Sequence, residues 1–304
     1  MRTLLLIILV ACAHAQPRPC PVPAVAAALP AEDAALRRWK AIMANDFRLP
    51  AEMQPSALVP ELVGYLASPD PVRRDRVAYD ALDQWIRNKV LSDAEVHALA
   101  QRLVANLRGS LDALDGVFGR SFSALVLASI VARDVAAPLL SDTERRAILS
   151  AAREYAYRET DLRGYTGARG WAHAAAHTAD LLAQLAELPS LTDDDRAIVL
   201  EAVAGFVIRR HGTVLRDGED DRLAAAVITA ARRGVARPAL VAWLGVLKAP
   251  IAEPFTPTFD AGHFAAARNA RNLLFTLFVQ LSLMPSPSDG ERRLLDAIRA
   301  MLAG

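Results

Sequence analysis

Residues 161–182 read DLRGYTGARGWAHAAAHTADLL, which is a glycine-broken loop followed by an alanine-rich segment. The alanine-rich segment predicts a helix, and it carries His173, His177 and Asp180 at spacings of four and three residues. At about 100° per residue, these three side chains fall on one helical face. The stretch therefore predicts a helical core element with a candidate functional site at its start.

The rest of the chain shows the same helical pattern. From residue 31 onward, apolar positions recur three and four residues apart, and alternating β-branched runs are nearly absent. S-x-x-E capping boxes begin at Ser92, Ser141 and Ser288, and Thr192 begins a related box. The sequence therefore predicts an all-α fold. The expected helices span residues 31–45, 56–67, 71–89, 93–107, 121–136, 142–159, 170–187, 193–210, 219–233, 237–247, 260–283 and 289–302.

The number of expected helices suggests about six helical hairpins in a single domain over residues 31–304. Residues 68–75, SPDPVRRD, place Pro71 at a first helical position after an Asp cap, as in the hairpin turn of HEAT-type repeats. No fixed period recurs along the chain. We therefore expect an irregular α-solenoid, a HEAT- or armadillo-like superhelix. A closed α/α toroid is the alternative, because it needs the same number of helices.

The first thirty residues predict export. Arg2, the apolar run at residues 4–10 and the small-x-small triplet at residues 13–15 form an export signal over residues 1–15, and residues 16–30 form a Pro-rich tether. The apolar run is too short to cross a membrane, which takes about twenty residues. Residues 9–12, LVAC, also resemble a lipoprotein processing box, which would leave a lipid on Cys12. The expected product is periplasmic or secreted, and it contacts a membrane only if Cys12 carries that lipid.

The charge balance argues against nucleic acid as a partner. Lys and Arg number 35 and Asp and Glu number 34, so the chain has no basic footprint. The sequence also lacks a phosphate loop and a dinucleotide fingerprint, so nucleotide-dependent chemistry has no support.

Several motifs occur in an order that resembles a known bacterial family, the domain of unknown function 2785. The matching segments are SPDP at 68–71, DQWI at 83–86, FGRSFS at 118–123, DLRGY at 161–165, GWAHAAAHTADLL at 170–182 and EDDRL at 219–223. Together they cover residues 57–245. The resemblance implies a helical fold and no established activity.

Two imidazoles and a carboxylate on one helical face suggest a divalent metal site. His173, His177 and Asp180 have the ligand types and the four-residue histidine spacing that zinc helices use. The glutamate that acts as general base in zinc-protease helices is absent, because Ala174 follows His173. The alternative is that both histidines are neutral, half-buried and hydrogen-bonded to carbonyls or acids. Acid/base chemistry without a metal is the third interpretation.

The loop before the expected helix suggests an anion site. Arg163 and Arg169 flank three glycines near a helix start, where backbone N–H groups and guanidinium groups can hold a phosphate, a sulfate or a carboxylate. The alternative is that Arg163 pairs with Asp161 or Asp180. Trp171 could stack on a sugar or a base, or it could simply belong to the core.

Two further segments carry polar side chains at expected helix starts. Glu219, Asp220 and Asp221 complement the positive end of a helix, but they could also face His173 and supply the second carboxylate of an acid/base pair. Ser121 is expected to cap a helix rather than to act as a nucleophile, because no G-x-S-x-G elbow is present.

We expect a binding or scaffold protein that holds a small polar or anionic ligand, or a partner segment, on a concave face. The expected lining is Arg120, Asp161, Arg163, Trp171, His173, His177, Asp180, Glu219, Asp220, Asp221 and Arg222. The rival interpretation is a hydrolase or lyase. It would be metal-assisted through the histidines and Asp180, or a glycosidase that pairs Asp161 with one of the acids at 219–221. A purely structural domain is the third.

Overall fold

The computed structural model describes residues 33–112, 115–209, 212–255 and 257–303. The predicted export signal at residues 1–15, the Pro-rich tether at residues 16–30 and Cys12 lie outside the described residues.

The described residues form an all-helical protein, as the sequence predicted. The only β pairing within them is an isolated bridge between Tyr165 and Trp171. A π-helical segment, Val72–Tyr79, precedes α3, and a 3₁₀ turn, Gly167–Arg169, precedes α7. The α-helices are α1 Ala34–Ala44, α2 Pro55–Tyr65, α3 Asp80–Arg87, α4 Asp93–Leu107, α5 Gly116–Ala136, α6 Asp142–Arg158, α7 Ala174–Glu187, α8 Asp193–Ile208, α9 Glu219–Arg233, α10 Arg237–Ala252, α11 Ala261–Ser282 and α12 Asp289–Ala303.

Local capping chemistry explains why several helices begin where they do. The Ser92 hydroxyl accepts the Glu95 N–H, and the Glu95 carboxylate accepts the Ser92 N–H in return. The same reciprocal box forms at Ser141 and at Thr192. Each box satisfies N–H groups that have no partner within the helix. These predicted helix starts are confirmed.

Three predicted boundaries are wrong. Helix α5 begins at Gly116 rather than at residue 121, so Ser121 lies inside the helix and does not cap it. Helix α7 begins at Ala174 rather than at residue 170, because the backbone of His173 is left-handed. Helix α10 continues through Pro250, which lies in its last turn. Residues 71–89 divide into the π-helical segment and α3, a distinction that a 3.6-residue pattern does not resolve.

The helices pack in two rows. Helices α4, α6, α8 and α10 contact one another in succession, and so do α5, α7, α9 and α11. Within each consecutive pair, α4/α5, α6/α7, α8/α9 and α10/α11, the two helices pack together across the rows. Helix α12 packs against α9, α10 and α11, and α3 packs against α5. The loop before α7 therefore lies at the start of a central helix of the second row.

Small side chains permit the close packing of α7. Its Ala174, Ala175, Ala176 and Ala179 are all buried, because α5, α6 and α9 surround the helix. A helix that is apolar on most of its circumference belongs in a core. Helix α5 is long and apolar enough to cross a membrane by length and composition, but 78% of its most apolar window is buried inside the protein.

Candidate functional site

The loop before α7 is closed by its own backbone. The Thr166 N–H donates to the Gly170 carbonyl at 2.8 Å, and the Ala172 N–H donates to the Gly164 carbonyl at 2.9 Å. The His173 N–H donates to the Arg163 carbonyl at 3.0 Å. These bonds engage three N–H groups of the loop, so those three are not free to hold an anion.

Two glycines of this loop are required by close contacts. A Cβ atom on Gly164 would overlap the carboxylate of Asp217, which accepts the Tyr165 N–H at 3.1 Å. Gly170 has a φ of +71°, and its Cβ would lie 3.1 Å from a guanidinium nitrogen of Arg74. Glycine is therefore required at both positions because neighbouring side chains approach the backbone closely, and at Gly170 also because of its positive φ.

Three aromatic rings meet at the end of the loop. The Trp171 indole is stacked on the His173 imidazole, with ring centroids 4.2 Å apart and planes 25° apart. The Tyr165 ring meets Trp171 edge to face at 4.9 Å. Tyr165 and Trp171 are exposed, whereas His173 beneath them is buried. We call Tyr165, Trp171 and His173 the aromatic ledge.

His173 is held in an unusual backbone conformation. Its φ is +50° and its ψ is 38°, a left-handed geometry that costs a non-glycine residue about 1–2 kcal/mol. The bond from its own N–H to Arg163 and the bond from the His177 N–H to its carbonyl hold it there. Such strain in a non-glycine residue is typical of positions with a functional role.

The imidazole of His173 faces the acidic start of α9. Its Nε2 atom is buried, has no hydrogen-bond partner, and lies 4.0 Å from Oε1 of Glu219. Burial, and then the charge of Arg222, lowers the pKa of His173. Burial raises the pKa of Glu219. Both shifts favour the uncharged forms, so the gap between the two groups suits neutral hydrogen bonding.

His177 is buried one turn further along and performs a structural task. Its Nδ1 atom lies 2.7 Å from the Ser121 hydroxyl, which itself donates to the Ala172 carbonyl. Because the hydroxyl has one proton and gives it to Ala172, it must accept the Nδ1–H of His177. Burial lowers the pKa of His177 well below its ordinary value. This shift favours the neutral form of His177 in the folded protein.

The three predicted metal ligands do not form a metal-binding group. Asp180 forms an ion pair with Arg222 on α9, and His177 is bonded to Ser121. Among the residues that the structure describes, no group of three or more His, Cys, Asp or Glu side chains could hold a metal ion. The assumption that failed is the shared helical face, because His173 precedes the helix and its left-handed backbone breaks the periodicity.

The loop arginines are neutralised by neighbouring acids. Arg163 contacts both carboxylate oxygens of Asp161, and it reaches Asp115 at 3.3 Å. The Asp161 contact raises the pKa of Arg163. Arg169 also pairs with Asp115. The alternative pairing of Arg163 with Asp161 is therefore the one that the structure shows.

Arg120 belongs to the interior rather than to a ligand-binding surface. Its guanidinium makes two bonds to Glu159, at 2.7 and 3.0 Å, and a third to the Ser110 carbonyl at 2.8 Å. Glu159 is fully buried and also accepts the N–H groups of Thr160 and Asp161. This network joins α5 to the start of the loop.

The acids at the start of α9 have separate partners. Asp220 accepts a hydrogen bond from Thr276 at 2.7 Å, and Asp221 accepts one from Gln280 at 3.2 Å, both on α11. Glu219 alone faces His173. Of the four acids considered for catalysis, Asp161, Asp220 and Asp221 are thus engaged in contacts with other side chains.

Sequence reasoning missed three residues around the loop. Arg74 is fully buried, donates to the Arg169 carbonyl at 2.8 Å, and lies over the ring of Phe118 at 4.2 Å. Asp115 pairs with Arg163 and Arg169, and Asp217 accepts the Tyr165 N–H. No local pattern in the sequence marked Arg74 or the two acids as contacts of the loop.

Two clefts adjoin this region. The first, the loop cleft, has a volume of about 410 Å³ and is lined by Arg163, Tyr165, Asp217, Glu219 and neighbouring residues. The second, the helix cleft, has a volume of about 260 Å³ and lies between α3, α5 and α7. A larger apolar cavity of about 620 Å³ lies between α10 and α12, and none of the predicted site residues lines it.

Comparison with known families agrees with the motif order. The family described as "Protein of unknown function (DUF2785)" matches residues 103–279. The chain belongs to this family. The DUF2785 match contains the loop, α7 and the start of α9. It begins after the segments at 68–71 and 83–86, and it extends past residue 245. No curated protein and no solved structure matches the chain.

Proposed function

We propose that the protein binds a small, neutral, polar ligand on the aromatic ledge and in the adjoining loop cleft. One observation carries this proposal. An exposed Trp171 covers the imidazole of His173, whose buried Nε2 atom has no hydrogen-bond partner and faces Glu219 across 4.0 Å. An indole face with hydrogen-bonding groups at its edge is a typical recognition surface for a ligand with one apolar side.

The pairing of Arg163, Arg169 and Arg222 with acids supports a neutral ligand on the ledge. Arg163 forms an ion pair with Asp161, Arg169 with Asp115, and Arg222 with Asp180. An anion would have to compete with these carboxylates, and a cation with the guanidinium groups. A neutral ligand competes with neither the carboxylates nor the guanidinium groups.

The hydrogen-bonding groups suit hydroxyl or amide groups. Nε2 of His173 and the carboxyl of Glu219 are close enough for a single ligand atom to contact both. Glu219 also lines the loop cleft, so it connects the ledge to a concave space. A buried polar atom without a partner costs about 1–3 kcal/mol, and a ligand that bonds it would recover that free energy.

The two rows of helices support an open, irregular α-solenoid rather than a closed toroid. Consecutive hairpins pack onto one another in chain order, and α12 covers the last pair. In such an arrangement the second row would line the concave face, which is where solenoid proteins bind ligands. The ledge lies at the start of α7 in that row.

Export remains part of the proposal. The signal at residues 1–15 would deliver the protein to the periplasm or the exterior, soluble or held by a lipid on Cys12. Mass measurement of the mature protein tests this, because cleavage before Gln16 and lipidation at Cys12 give different N-termini. An intact Met1 would contradict export by this signal.

The binding proposal is tested by tryptophan quenching. Acrylamide should quench Trp171 preferentially, and bound ligand should shield it. The probes are glucose, N-acetylglucosamine, glycerol, adenosine and glutamine, each titrated into the protein. We expect saturable shielding by at least one probe, and a loss of affinity of about tenfold in Glu219→Gln. The control Val241→Ala, on the exposed face of α10, should bind normally. The proposal fails if no probe shields Trp171.

A further inference from the structure

An apolar groove of about 620 Å³ lies between α10 and α12, and no residue of the aromatic ledge lines it. Of its apolar lining residues, Leu240 and Leu244 are buried, Met301 is half-buried, and Val241 is 56% exposed. The volume falls within the range of about 300–1,000 Å³ that is typical of small-molecule sites. We call this space the α10/α12 groove.

Gly245 keeps the middle of the groove open. This glycine lines the groove, and a Cβ atom on it would meet nothing within 4 Å. Glycine inside a helix is less favourable than alanine, and no close neighbour requires it here. Its structural effect is therefore to leave the groove wider by one side chain.

Both helices begin at the same end of the groove. Helix α10 starts at Arg237, four residues after α9 ends. Helix α12 starts against the same part of α9, because a Cβ on Gly290 would overlap the carbonyl of Ala231. The lining residues run from 237 to 248 on α10 and from 290 to 301 on α12. The two helices therefore flank the groove side by side for roughly 16 Å, at about 1.5 Å per residue.

The end of the groove where the helices begin is cationic. Arg237 and Arg293 line the groove there, and Lys248 lines the opposite end. Within the part of the chain that the structure describes, these three side chains take part in no ion pair or side-chain hydrogen bond. Among the described lining residues the only acid is Asp296, which lies 3.6 Å from Arg299. The groove therefore presents unpaired positive charge beside apolar side chains.

The shape of the groove favours a chain molecule over a docked helix. A volume of about 620 Å³ over roughly 16 Å gives a mean cross-section of roughly 40 Å². An α-helix with its side chains is about 10–12 Å across, which corresponds to roughly 80–110 Å². A helix would therefore rest on the rim of the groove, whereas an alkyl chain fits inside it.

We propose that the α10/α12 groove binds a fatty acid, with its alkyl chain between the two helices and its carboxylate at Arg237 and Arg293. Guanidinium groups suit this head group, because they donate parallel N–H bonds to the two oxygens of a carboxylate. The apolar lining suits the chain, because each methylene group removed from water adds a similar increment of affinity. This site is separate from the aromatic ledge and does not depend on the ligand proposed there.

The first test varies the chain length and the head group. The full-length protein is titrated calorimetrically with octanoate, decanoate and dodecanoate below their micelle concentrations. Affinity should rise about tenfold for every two methylene groups. Decanol and decyltrimethylammonium should each bind about tenfold more weakly than decanoate. Equal affinity at all chain lengths, or for all three head groups, would overturn the proposal.

Gly245→Leu tests whether the chain lies between the helices. The leucine side chain enters open space in the groove, so it should lower the affinity for decanoate about tenfold or more. Gly64→Leu on α2 is the matched control, because a Cβ there also meets nothing within 4 Å and Gly64 does not line the groove. Decanoate affinity that is unchanged in Gly245→Leu would refute this site.

Charge variants locate the carboxylate, and they keep the test decisive if Gly245→Leu does not fold. The double variant Arg237→Gln with Arg293→Gln should lower the affinity for decanoate about tenfold and leave that for decanol unchanged. Lys248→Gln removes the cation at the opposite end and should leave both affinities unchanged. The reverse pattern, or unchanged decanoate affinity in both proteins, would contradict the proposed position of the head group.

Other occupants of the groove give different results. Concentration-dependent dimerisation that Gly245→Leu abolishes, with no binding of any carboxylate, would place a second copy of the chain in the groove and overturn the proposal. Binding of an acidic amphipathic peptide, again with no binding of any carboxylate, would overturn it as well. Neither result bears on the aromatic ledge, because binding there is measured through Trp171.

Discussion

The Trp171 indole lies against the His173 imidazole with ring centroids 4.2 Å apart, so an exposed aromatic surface covers a buried polar group. This stack gives the site a built-in spectroscopic probe. Of the four tryptophans, Trp171 is 39% exposed, whereas Trp39, Trp85 and Trp243 are 0%, 1% and 5% exposed.

We therefore expect Trp171→Phe to remove most of the fluorescence that acrylamide can quench. Phenylalanine keeps an aromatic ring over His173, so stability should change little. Trp243→Phe is the control, because it removes a buried tryptophan and should leave the accessible component in place. Equal quenching of the wild-type protein and Trp171→Phe would contradict the exposed position of the indole.

Gly164→Ala should destabilise the protein by about 1–3 kcal/mol, since the added Cβ overlaps the carboxylate of Asp217. The measurement is the free energy of unfolding in urea. Gly64→Ala is the matched control, because Gly64 lies on the exposed side of α2 and a Cβ there meets nothing within 4 Å. That substitution should leave stability unchanged or raise it by about 0.5–1 kcal/mol. Equal effects of the two substitutions would show that Asp217 does not restrict the loop.

Arg120→Met should cost about 3–5 kcal/mol, because it leaves the buried carboxylate of Glu159 without its cation. Arg153→Ala removes an exposed pair with Glu201 and should cost less than about 1 kcal/mol. Chemical denaturation of both variants gives the comparison. A small loss of stability in Arg120→Met would mean that Glu159 readily takes up a proton or a water molecule. It would contradict the burial of the Arg120–Glu159 pair away from water.

His177→Asn should flatten the dependence of stability on pH. The unfolded imidazole has a pKa of about 6.5, and burial lowers the folded pKa well below that value. Below the unfolded pKa, the unfolded state therefore binds more protons than the folded state. The contribution to stability is full above about pH 6.5 and is lost as the pH falls toward the folded pKa.

Asparagine can donate to Ser121 without titrating, so the variant keeps the bond and loses the contribution of His177 to the pH dependence, whereas His173, whose pKa burial also lowers, keeps its own. Unfolding midpoints between about pH 7.5 and about pH 5 measure the difference. Glu219 and Asp180 titrate in both proteins and act in the opposite direction, because burial raises their pKa values. Identical slopes in the two proteins would argue that His177 is not held neutral.

The helical fold could be predicted from the sequence because the signals for helix starts are local. Ser92 with Glu95 and Ser141 with Glu144 place helix starts by bonds between residues three apart. The sequence suggested only as one alternative that Glu219 faces His173, because this contact depends on how α9 packs against α7. Such long-range contacts leave no trace in sequence spacing.

One backbone conformation separates the predicted arrangement from the observed one. The prediction placed His173, His177 and Asp180 on one helical face, whereas His173 precedes α7 in a left-handed conformation. Its φ of +50° instead turns the imidazole under Trp171. Likewise, Ser121 could not be recognised as the partner of His177, because 56 positions of sequence separate the two residues.

The buried guanidinium of Arg74 bears on where this protein can be divided. The family match begins at residue 103, yet Arg74 comes from before that point and lies against Phe118 and Phe122 beneath the carbonyl of Arg169. A fragment that begins at residue 103 would lose the contacts of Arg74 with Phe118, Phe122 and the Arg169 carbonyl. A fragment that keeps the glycine loop supported as it is in the full chain must therefore include Arg74.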